Sequence, residues 1–432
     1  MTTYHITQPR ELHCDVKLPA SKSISNRALI IYALTGHDAI LPENLSDCDD
    51  TKVIIRALNT LRSQDKTDAP SDATIDIMAA GTAMRFMTAF LAATDSGRHV
   101  LTGTERMKHR PIKVLVDALR QLGARIEYEG EEGFPPLCIS GRHLSGGQLE
   151  IAGNVSSQYI SALLLIGPVL SQGLTLRLTG DIISRPYIDL TLWTMREFGA
   201  DAEWTSVDTI EVKPLPYKPR PYYIENDWSA ASYWYEMVAL SKDPYACVRL
   251  EGLMDGSKQG DSSVRYIFSL LGVKTTFATK KPGVPTTITL KKNGHCLPRL
   301  EYDFVNAPDL AQTIVCTCCA IGVPFKFRGV QTLKIKETDR LLALCTELAK
   351  LGYDIQEENG NQLSWDGTTR HSPHSPNASE PINTYDDHRM ALAFAPLAML
   401  RPISINNPGV VTKSYPQFWE HLQQAGFTIE SS

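Results

Sequence analysis

The sequence of 432 residues has no excess of basic side chains. It contains 43 Lys and Arg against 48 Asp and Glu, so the formal net charge at pH 7 is −5. General nucleic-acid binding needs a basic excess to neutralise phosphates, and we expect no nucleic-acid partner. Any site for an anion must therefore be local. The nine cysteines are an odd number without the spacing of a disulfide framework, which favours a reducing compartment.

Long apolar runs are also missing. No uncharged apolar run approaches the roughly 18 residues that a membrane-spanning helix needs, and the nearest, YISALLLIGPVL, contains Gly167 and Pro168. The N-terminus MTTYHITQPR shows neither a signal peptide nor a transit peptide, so we expect a cytoplasmic protein with no membrane partner. A hydrophobic content of 43% over this length predicts a globular protein of two or more domains.

Several motifs of nucleotide-binding and hydrolytic enzymes are absent. The sequence contains no GxGxxG dinucleotide fingerprint, no GxxxxGK[ST] phosphate loop and no GxSxG nucleophile setting. Cys316, Cys318 and Cys319 lie in the apolar run TIVCTCCAIGV without a second Cys or His pair. This setting favours small buried residues on a helix over metal ligands.

One pattern recurs along the chain: an amphipathic helix, a glycine and an alternating, strand-like segment. The segment VIIRALNTLRSQ, near residue 60, reads as a degenerate sixth copy without the glycine. A glycine directly after a helix relieves the left-handed cap conformation. The spacing predicts an α/β protein of repeated units, each with two helices and several strands. The glycines, 73 to 80 residues apart, are Gly123, Gly199, Gly272, Gly352 and Gly426.

Two segments lack this pattern. The Pro-rich stretch KPLPYKPRPYY, residues 213–223, falls midway along the chain and predicts a connection. The stretch TRHSPHSPNASEP, residues 369–381, predicts an exposed loop.

Cationic and small polar residues stand at many predicted helix starts. PASKSISNRALI places Lys22, Ser23, Ser25 and Arg27 at the beginning of an apolar helix, where the serine hydroxyls can donate to an anion. The helix dipole favours Asp or Glu at such a position, so repeated cations need another explanation. An anionic ligand in a shared cleft supplies one; for the first stretch alone, a solvated helix cap is an equal alternative. Similar starts occur in AAGTAMRFMTAFL, RMKHRPIKVLVDAL, NVSSQYISALLL, SRPYIDLTL, KIKETDRLLALCTEL, TYDDHRMALAF and VVTKSYPQFW.

In TYDDHRMALAF, Asp387 and His388 could be read as metal ligands. Adjacent residues on a helix do not face one another, however. We therefore interpret Asp387 as a helix cap and Arg389 as an anion-binding residue.

Ten of these segments, taken in order, resemble the 5-enolpyruvylshikimate-3-phosphate (EPSP) synthase family. They are LPASKSISNRAL, AAGTAMR, RMKHRPI, VSSQYISALL, ISRPYIDLT, SKQGD, APDLAQT, KETDRL, DDHRMALAF and TKSYPQFW. The resemblance implies the enolpyruvyl transferase fold, an α/β architecture of two similar domains, each of three βαβαββ repeats. Helix N-termini would face an interdomain cleft that substrate closes. The chain would cross between domains near residues 19–20 and 225–227, giving domains 1–19 plus 227–432 and 20–226.

The resemblance also implies an enzyme that transfers the enolpyruvyl group of phosphoenolpyruvate to the 5-hydroxyl of shikimate 3-phosphate. No metal or organic cofactor is expected, and we expect a monomer. Asp309 and Glu337 match the acid–base pair, and Lys22 is a further candidate for proton transfer. Matches to shikimate 3-phosphate contacts are Lys22, Ser23, Arg27, Ser156, Ser157, Gln158, Ser184, Asp309 and Lys336. Matches to phosphoenolpyruvate contacts are Lys22, Gly81, Arg110, Gln158, Arg340, Arg389 and Lys413.

The chain departs from the family pattern at several positions. Met78 and Ala79 stand where the family usually has Gly-Asn, and Thr332 replaces an Asn that touches the acceptor. His109 replaces a frequent Glu, Asp386 replaces a frequent Asn, and Trp228 is unusually bulky. These changes concern affinity and inhibitor response rather than the reaction.

Three other functions compete with this interpretation. A UDP-N-acetylglucosamine enolpyruvyl transferase is disfavoured by the SSQ, KETDR and DDHR motifs. A catalytically silent relative is disfavoured because Asp309, Glu337 and Lys22 are all present. A phosphotransferase that uses Lys22 and Ser23 is disfavoured by the missing nucleotide loop.

Overall fold

The computed structural model describes residues 2–36, 38–64, 73–94, 97–279, 281–369 and 380–432. The chain forms two compact units. The terminal unit comprises Met1–Pro19 and Glu225–Ser432, and the central unit comprises Ala20–Ile224. Most of the predicted loop 369–381 lies outside the described residues.

Helices and strands alternate along both units. The strands are β1 (Thr3–Thr7), β2 (His13–Lys17), β3 (Ala73–Asp76), β4 (Arg98–Thr102), β5 (Arg125–Tyr128), β6 (Leu137–Ser140), β7 (Gly147–Ala152), β8 (Leu174–Thr179), β9 (Ala202–Trp204), β10 (Thr209–Val212), β11 (Cys247–Met254), β12 (Leu271–Phe277), β13 (Pro285–Cys296), β14 (Leu300–Asp303), β15 (Phe325–Arg328), β16 (Gln356–Glu358), β17 (Gln362–Trp365), β18 (Ile403–Asn406) and β19 (Thr428–Ser431). The α-helices are α1 (Lys22–Thr35), α2 (Asp49–Gln64), α3 (Gly81–Ala93), α4 (Glu105–Lys108), α5 (Lys113–Gln121), α6 (Ser157–Ile166), α7 (Arg185–Glu197), α8 (Trp228–Leu240), α9 (Val264–Ser269), α10 (Ala311–Ile321), α11 (Arg340–Lys350), α12 (His388–Phe394) and α13 (Phe418–Gln424). Short 3-10 segments include Pro308–Leu310, Gln331–Ile335 and Pro408–Lys413.

Four sheets share one topology. The central unit contains the sheets β3-β4-β6-β5 and β7-β8-β10-β9, and the terminal unit contains β12-β13-β11-β2 and β14-β15-β17-β16. In each sheet the two strands that come first in the chain are parallel and the remaining pairs are antiparallel. Their order along the chain is βαβαββ. β2 supplies the first strand of one terminal repeat, because Val16 pairs in parallel with Leu250 of β11.

Two repeats are less complete. The sheet β18-β1-β19 has three strands, and a single parallel bridge joins Ile382 to Ile405 at the edge where a fourth strand would lie. Helices α1 and α2 form the other repeat. Its described residues form no strand, and an isolated parallel bridge joins Glu43 to Tyr223.

The marking glycines have the expected backbone. All five are left-handed, with φ between 83° and 99°. Gly123, Gly199, Gly352 and Gly426 directly follow a helix C-cap, which confirms the expected role for these four. Gly272 lies inside a strand, because β12 begins at Leu271, the residue before it, which pairs with Cys296. A register shift follows between Leu271 and Val273, so Gly272 occupies a bulge inside the strand.

The inner helices are mostly apolar, are buried on nearly every side and form the cores. All 13 residues of α8 are buried, and the buried face of α3 includes all but one of its residues. A helix that is hydrophobic all round belongs in a core. α3 packs on α6 in the central unit, and α10 packs on α8 and α12 in the terminal unit. Across the described ranges, no helix is long and apolar enough to cross a membrane.

Candidate functional site

The start of α1 places Lys22 and Ser23 in its first turn. Ser21 caps the helix by accepting from the Ile24 N–H at 3.4 Å. Lys22 Nζ lies 3.4 Å from Asp50 Oδ2, in the first turn of α2. Ser25 differs from expectation, because it is fully buried and its Oγ accepts from the Ser46 N–H.

Arg27 is buried among protein groups. Its guanidinium donates to Thr191 Oγ1 at 2.7 Å, to Ser161 Oγ at 3.2 Å and to the carbonyl oxygens of Ser23 and Tyr187. Burial lowers the pKa of Arg27 to about 10, against the effect of Tyr187, so the side chain stays charged at neutral pH. Arg27 therefore connects helices α1, α6 and α7, whose first turns carry predicted contacts to shikimate 3-phosphate.

Four of the residues that are predicted to contact shikimate 3-phosphate lie at the starts of α6 and α7. Ser156 caps α6 by accepting from the Gln158 N–H, and Ser157 is the first residue of that helix. Gln158 Nε2 reaches Thr82 Oγ1 in α3 at 3.2 Å, which brings α6 beside the Gly81 turn. Ser184 precedes α7 with a left-handed φ of 55° and is buried.

Gly81 and Arg110, both predicted to contact phosphoenolpyruvate, are neighbours. A Cβ atom at Gly81 would lie 2.5 Å from Arg110 Nη1. Arg85 supports this arrangement, because its guanidinium donates to the Gly81 carbonyl oxygen at 3.1 Å and to the Pro111 carbonyl oxygen at 2.9 Å.

In the terminal unit, Arg340 lies among three carboxylates. Its Nε is 2.7 Å from Asp387 Oδ2, its Nη2 is 2.8 Å from Glu337 Oε2 and its Nη1 is 3.3 Å from Asp309 Oδ1. Burial alone would lower the pKa of Arg340, but Asp387, Glu337 and Asp309 together raise it. Arg340 is therefore a permanent cation that joins both carboxylates of the predicted acid–base pair.

Three further cations complete this group. Arg389 Nη2 lies 2.9 Å from Asp309 Oδ2, Lys413 Nζ lies 2.8 Å from Glu337 Oε1 and Lys336 Nζ lies 3.8 Å from Asp309 Oδ1. Burial lowers the pKa of Lys336, although Asp309 acts in the opposite direction. We call the seven residues the Arg340 cluster: Asp309, Lys336, Glu337, Arg340, Asp387, Arg389 and Lys413. Four cations against three carboxylates leave it electropositive and suited to an anionic ligand.

Asp387 fulfils the capping role expected of it, since its side chain accepts from the Arg389 N–H at 2.9 Å. Its ion pair with Arg340 was not expected, nor was the pair between Asp50 and Lys22. Acidic residues at a helix start are typical caps, so the local sequence carries no sign of either second role. Both pairs depend on packing between distant segments.

Two departures from the family pattern have visible consequences. Met78 adopts a left-handed φ of 54°, the backbone that glycine favours at the position it replaces. The Thr332 Oγ1 is buried without a hydrogen-bond partner in the part of the chain that the structure describes.

The cysteine-rich segment is structural. Cys316, Cys318 and Cys319 are buried in α10, as the apolar run predicted. Within the described residues, no group of three or more His, Cys, Asp or Glu could hold a metal ion.

Comparison with known proteins assigns the chain to a family. A family profile described as EPSP synthase (3-phosphoshikimate 1-carboxyvinyltransferase) matches residues 6–422. The chain belongs to the EPSP synthase family. A Bacteroides fragilis relative named 3-phosphoshikimate 1-carboxyvinyltransferase is 55% identical over 428 residues, covering 99% of this chain and 98% of its own. A relative of the same name from Idiomarina loihiensis is 36% identical over 441 residues, covering 96% and 97%.

The fold agrees with that family. A solved EPSP synthase from Acinetobacter baumannii superposes with a TM-score of 0.77 over 100% of both chains, at 21% identity. The resemblance stated from the sequence and the enolpyruvyl transferase fold are thus confirmed. The catalytic and substrate-binding roles that the family resemblance implies for individual residues stay predictions.

Proposed function

We propose that this protein transfers the enolpyruvyl group of phosphoenolpyruvate to the 5-hydroxyl of shikimate 3-phosphate, releasing phosphate. The observation that carries the proposal is the Arg340 cluster, in which two candidate acid–base carboxylates share one buried arginine. Membership of the EPSP synthase family supports it. We also propose that the central and terminal units are the two domains of the enzyme and that it is a cytoplasmic monomer.

We assign the binding of the acceptor substrate, shikimate 3-phosphate, to the helix starts of the central unit together with Asp309 and Lys336. Their hydroxyl, amide and cationic groups are the donors that a phosphate and a carboxylate require. We assign the binding of the donor substrate, phosphoenolpyruvate, to Lys22, Gly81, Arg110, Gln158, Arg340, Arg389 and Lys413. Two anionic substrates bring several negative charges together, and the net positive charge of the Arg340 cluster offsets part of them.

The reaction follows as addition and elimination. The acceptor 5-oxygen attacks C2 of phosphoenolpyruvate while its proton leaves and the C3 methylene gains a proton, giving a tetrahedral intermediate. Loss of a C3 proton then expels phosphate and restores the double bond. Asp309 orients or deprotonates the hydroxyl, and Glu337 or Lys22 protonates C3.

Phosphorus NMR tests this proposal directly. Purified protein is mixed with shikimate 3-phosphate and phosphoenolpyruvate in the presence of a chelator. An enolpyruvyl product plus inorganic phosphate supports the proposed reaction without a metal. In a parallel mixture with UDP-N-acetylglucosamine in place of shikimate 3-phosphate, product would identify the related transferase. Binding of shikimate 3-phosphate without any product would identify a silent relative.

Asp309→Ala tests the assigned base. The variant should still bind shikimate 3-phosphate in calorimetry but lose about 10²–10⁴-fold in turnover, the usual contribution of a proton-transfer group. Asp366→Ala is the matched control, because Asp366 is exposed and, among the described residues, its side chain bonds within its own turn to Thr368. Near-normal turnover of Asp309→Ala would remove Asp309 from the mechanism.

A further inference from the structure

Two consecutive residues in front of α12 have left-handed backbones. Tyr385 has a φ of 52° and Asp386 has a φ of 55°. Residues that carry a Cβ atom adopt this conformation rarely and singly, so two in a row persist only where the surroundings hold them. This left-handed turn leads directly into Asp387 and Arg389 of the Arg340 cluster.

Helix α11 restrains the turn from one side. The Tyr385 hydroxyl donates to Glu347 Oε1 at 2.6 Å, and Glu347 Oε2 accepts from the Asn383 N–H at 3.1 Å. Glu347 is fully buried and lies seven residues after Arg340, two turns along one face of α11. Glu347 therefore holds the residues before the turn, while Arg340 holds Asp387 after it.

Asn407 restrains the turn from the other side. Its side-chain amide donates to Asp386 Oδ1 at 2.8 Å. Its own φ is 51°, and its N–H donates to the Thr2 carbonyl oxygen. Asn407 directly precedes the 3-10 segment Pro408–Lys413, whose last residue pairs with Glu337. The bond from Asn407 to Asp386 thus connects the segment of Lys413 to the turn that leads to Arg389.

We propose that the Asn407–Asp386 and Tyr385–Glu347 hydrogen bonds position Arg340, Arg389 and Lys413 for phosphoenolpyruvate by holding the left-handed turn in place. These four residues are outside the proposed set of substrate contacts, so they are positioning residues. Because the inference rests on the proposed function, its test includes one measurement that needs no substrate.

Asn407→Gly isolates the first hydrogen bond. Glycine permits the left-handed backbone at 407, so the variant deletes the amide donor without adding strain. Asn359→Gly is the matched control, since Asn359 has a φ of 54° in the exposed turn between β16 and β17. Hydrogen exchange of the amides of residues 384–394 should accelerate about fivefold in Asn407→Gly, the factor expected for one hydrogen bond, and stay unchanged in Asn359→Gly.

Steady-state kinetics provide the second measurement. The KM for phosphoenolpyruvate should rise about fivefold in Asn407→Gly and in Tyr385→Phe, while the KM for shikimate 3-phosphate stays near its original value. Asp386→Asn should retain the low KM, because its amide oxygen still accepts from Asn407.

Unchanged exchange in both Asn407→Gly and Tyr385→Phe would overturn the proposal. So would equal rises of both KM values with a lower Tm, which would indicate a purely structural role. If the wild-type protein yields no product in the NMR assay, the proposed function fails by itself. The exchange result then still decides whether these bonds hold Arg389 and its helix.

Discussion

At the scale of single residues, the space around Gly81 is the most restrictive feature of the candidate donor site. A methyl group there would come within 2.9 Å of three guanidinium atoms of Arg110. Gly81→Ala should therefore displace Arg110 and raise the KM for phosphoenolpyruvate by about 10- to 100-fold, the cost of misplacing a binding group by about an ångström. The KM for shikimate 3-phosphate should change little, and steady-state kinetics with both substrates measure the two effects.

Gly130→Ala is a suitable control for Gly81→Ala. Its added methyl group would make only an ordinary contact, at 4.0 Å from Pro136 Cδ, and its backbone is not left-handed. An unaltered KM for phosphoenolpyruvate in Gly81→Ala would exclude Arg110, in the position that the structure gives it, from donor binding.

Lys336 gives a prediction about pH. Burial lowers its pKa from the ordinary value of 10.5, so the free enzyme loses this ammonium group at a lower pH than an exposed lysine would. Because we propose that the charged form of Lys336 binds shikimate 3-phosphate, kcat/KM for this substrate should fall with rising pH below 10.5. In Lys336→Arg this decline should move to higher pH, because guanidinium remains protonated.

The pH profile is measured between pH 7 and pH 10.5 for the wild type, Lys336→Arg and Lys334→Arg. Lys334 is a fair control because it is more exposed and pairs with Glu357. An alkaline decline that is identical in all three proteins would show that Lys336 does not cause it.

At the scale of elements, the sequence predicts helices and their C-terminal caps, because a few adjacent residues determine both. The period of the amphipathic helices and the glycine after each one locate five helix–strand units, because a left-handed cap is set by a few adjacent residues. The shortest elements carry no such signal. The 3-10 segment Pro408–Lys413, which bears Lys413, is too short for a hydrophobic period.

The contacts within the site are predicted less well than its residues. The resemblance selects Arg340 and Arg389, yet Arg340 pairs with Asp387 across 47 positions of sequence. The pair between Lys22 and Asp50 likewise depends on how α2 packs against α1. Such pairs follow from tertiary packing, so neither propensity nor spacing in a single sequence determines them.

Helix α8 carries a buried glutamic acid, Glu236, that makes the stability of the terminal unit depend on pH. Glu236 is fully buried, with Thr317 and Cys316 of α10 beside it, and burial raises the pKa of its carboxyl well above the ordinary value, against the effect of Thr317. Above about pH 4.3 the unfolded chain releases this proton and the folded chain keeps it. The free energy of unfolding therefore falls by about 1.4 kcal/mol per pH unit from this group, until the folded pKa is reached.

Glu236→Gln should remove that slope. Urea unfolding at pH 5 to pH 8 should show the variant gaining stability relative to the wild type as pH rises, whereas Glu430→Gln, at an exposed residue, should not. A constant difference between Glu236→Gln and the wild type at every pH would contradict a raised pKa.

At the scale of the whole molecule, the two places where the chain passes between the units are bordered by residues that bond to one another within the terminal unit. The Asp227 N–H donates to the Pro19 carbonyl oxygen at 2.9 Å, so the two crossing segments bond to each other. Glu225 accepts from the Trp228 indole at 2.8 Å and from the Gln259 amide at 2.9 Å. The bulky Trp228 thus anchors the segment that begins at the second crossing within the terminal unit.

The resemblance to the family implies that the acceptor draws the two units together. Saturating shikimate 3-phosphate should then reduce the radius of gyration in small-angle X-ray scattering, because the proposed acceptor contacts belong to both units and their phosphate and carboxylate partners belong to one molecule. Inorganic phosphate at the same concentration is the control, since it supplies the charge but not the bridge. If calorimetry shows that shikimate 3-phosphate is bound while the radius of gyration stays constant, the proposed closure is wrong, and Lys336 and Asp309 must act without a movement of the units.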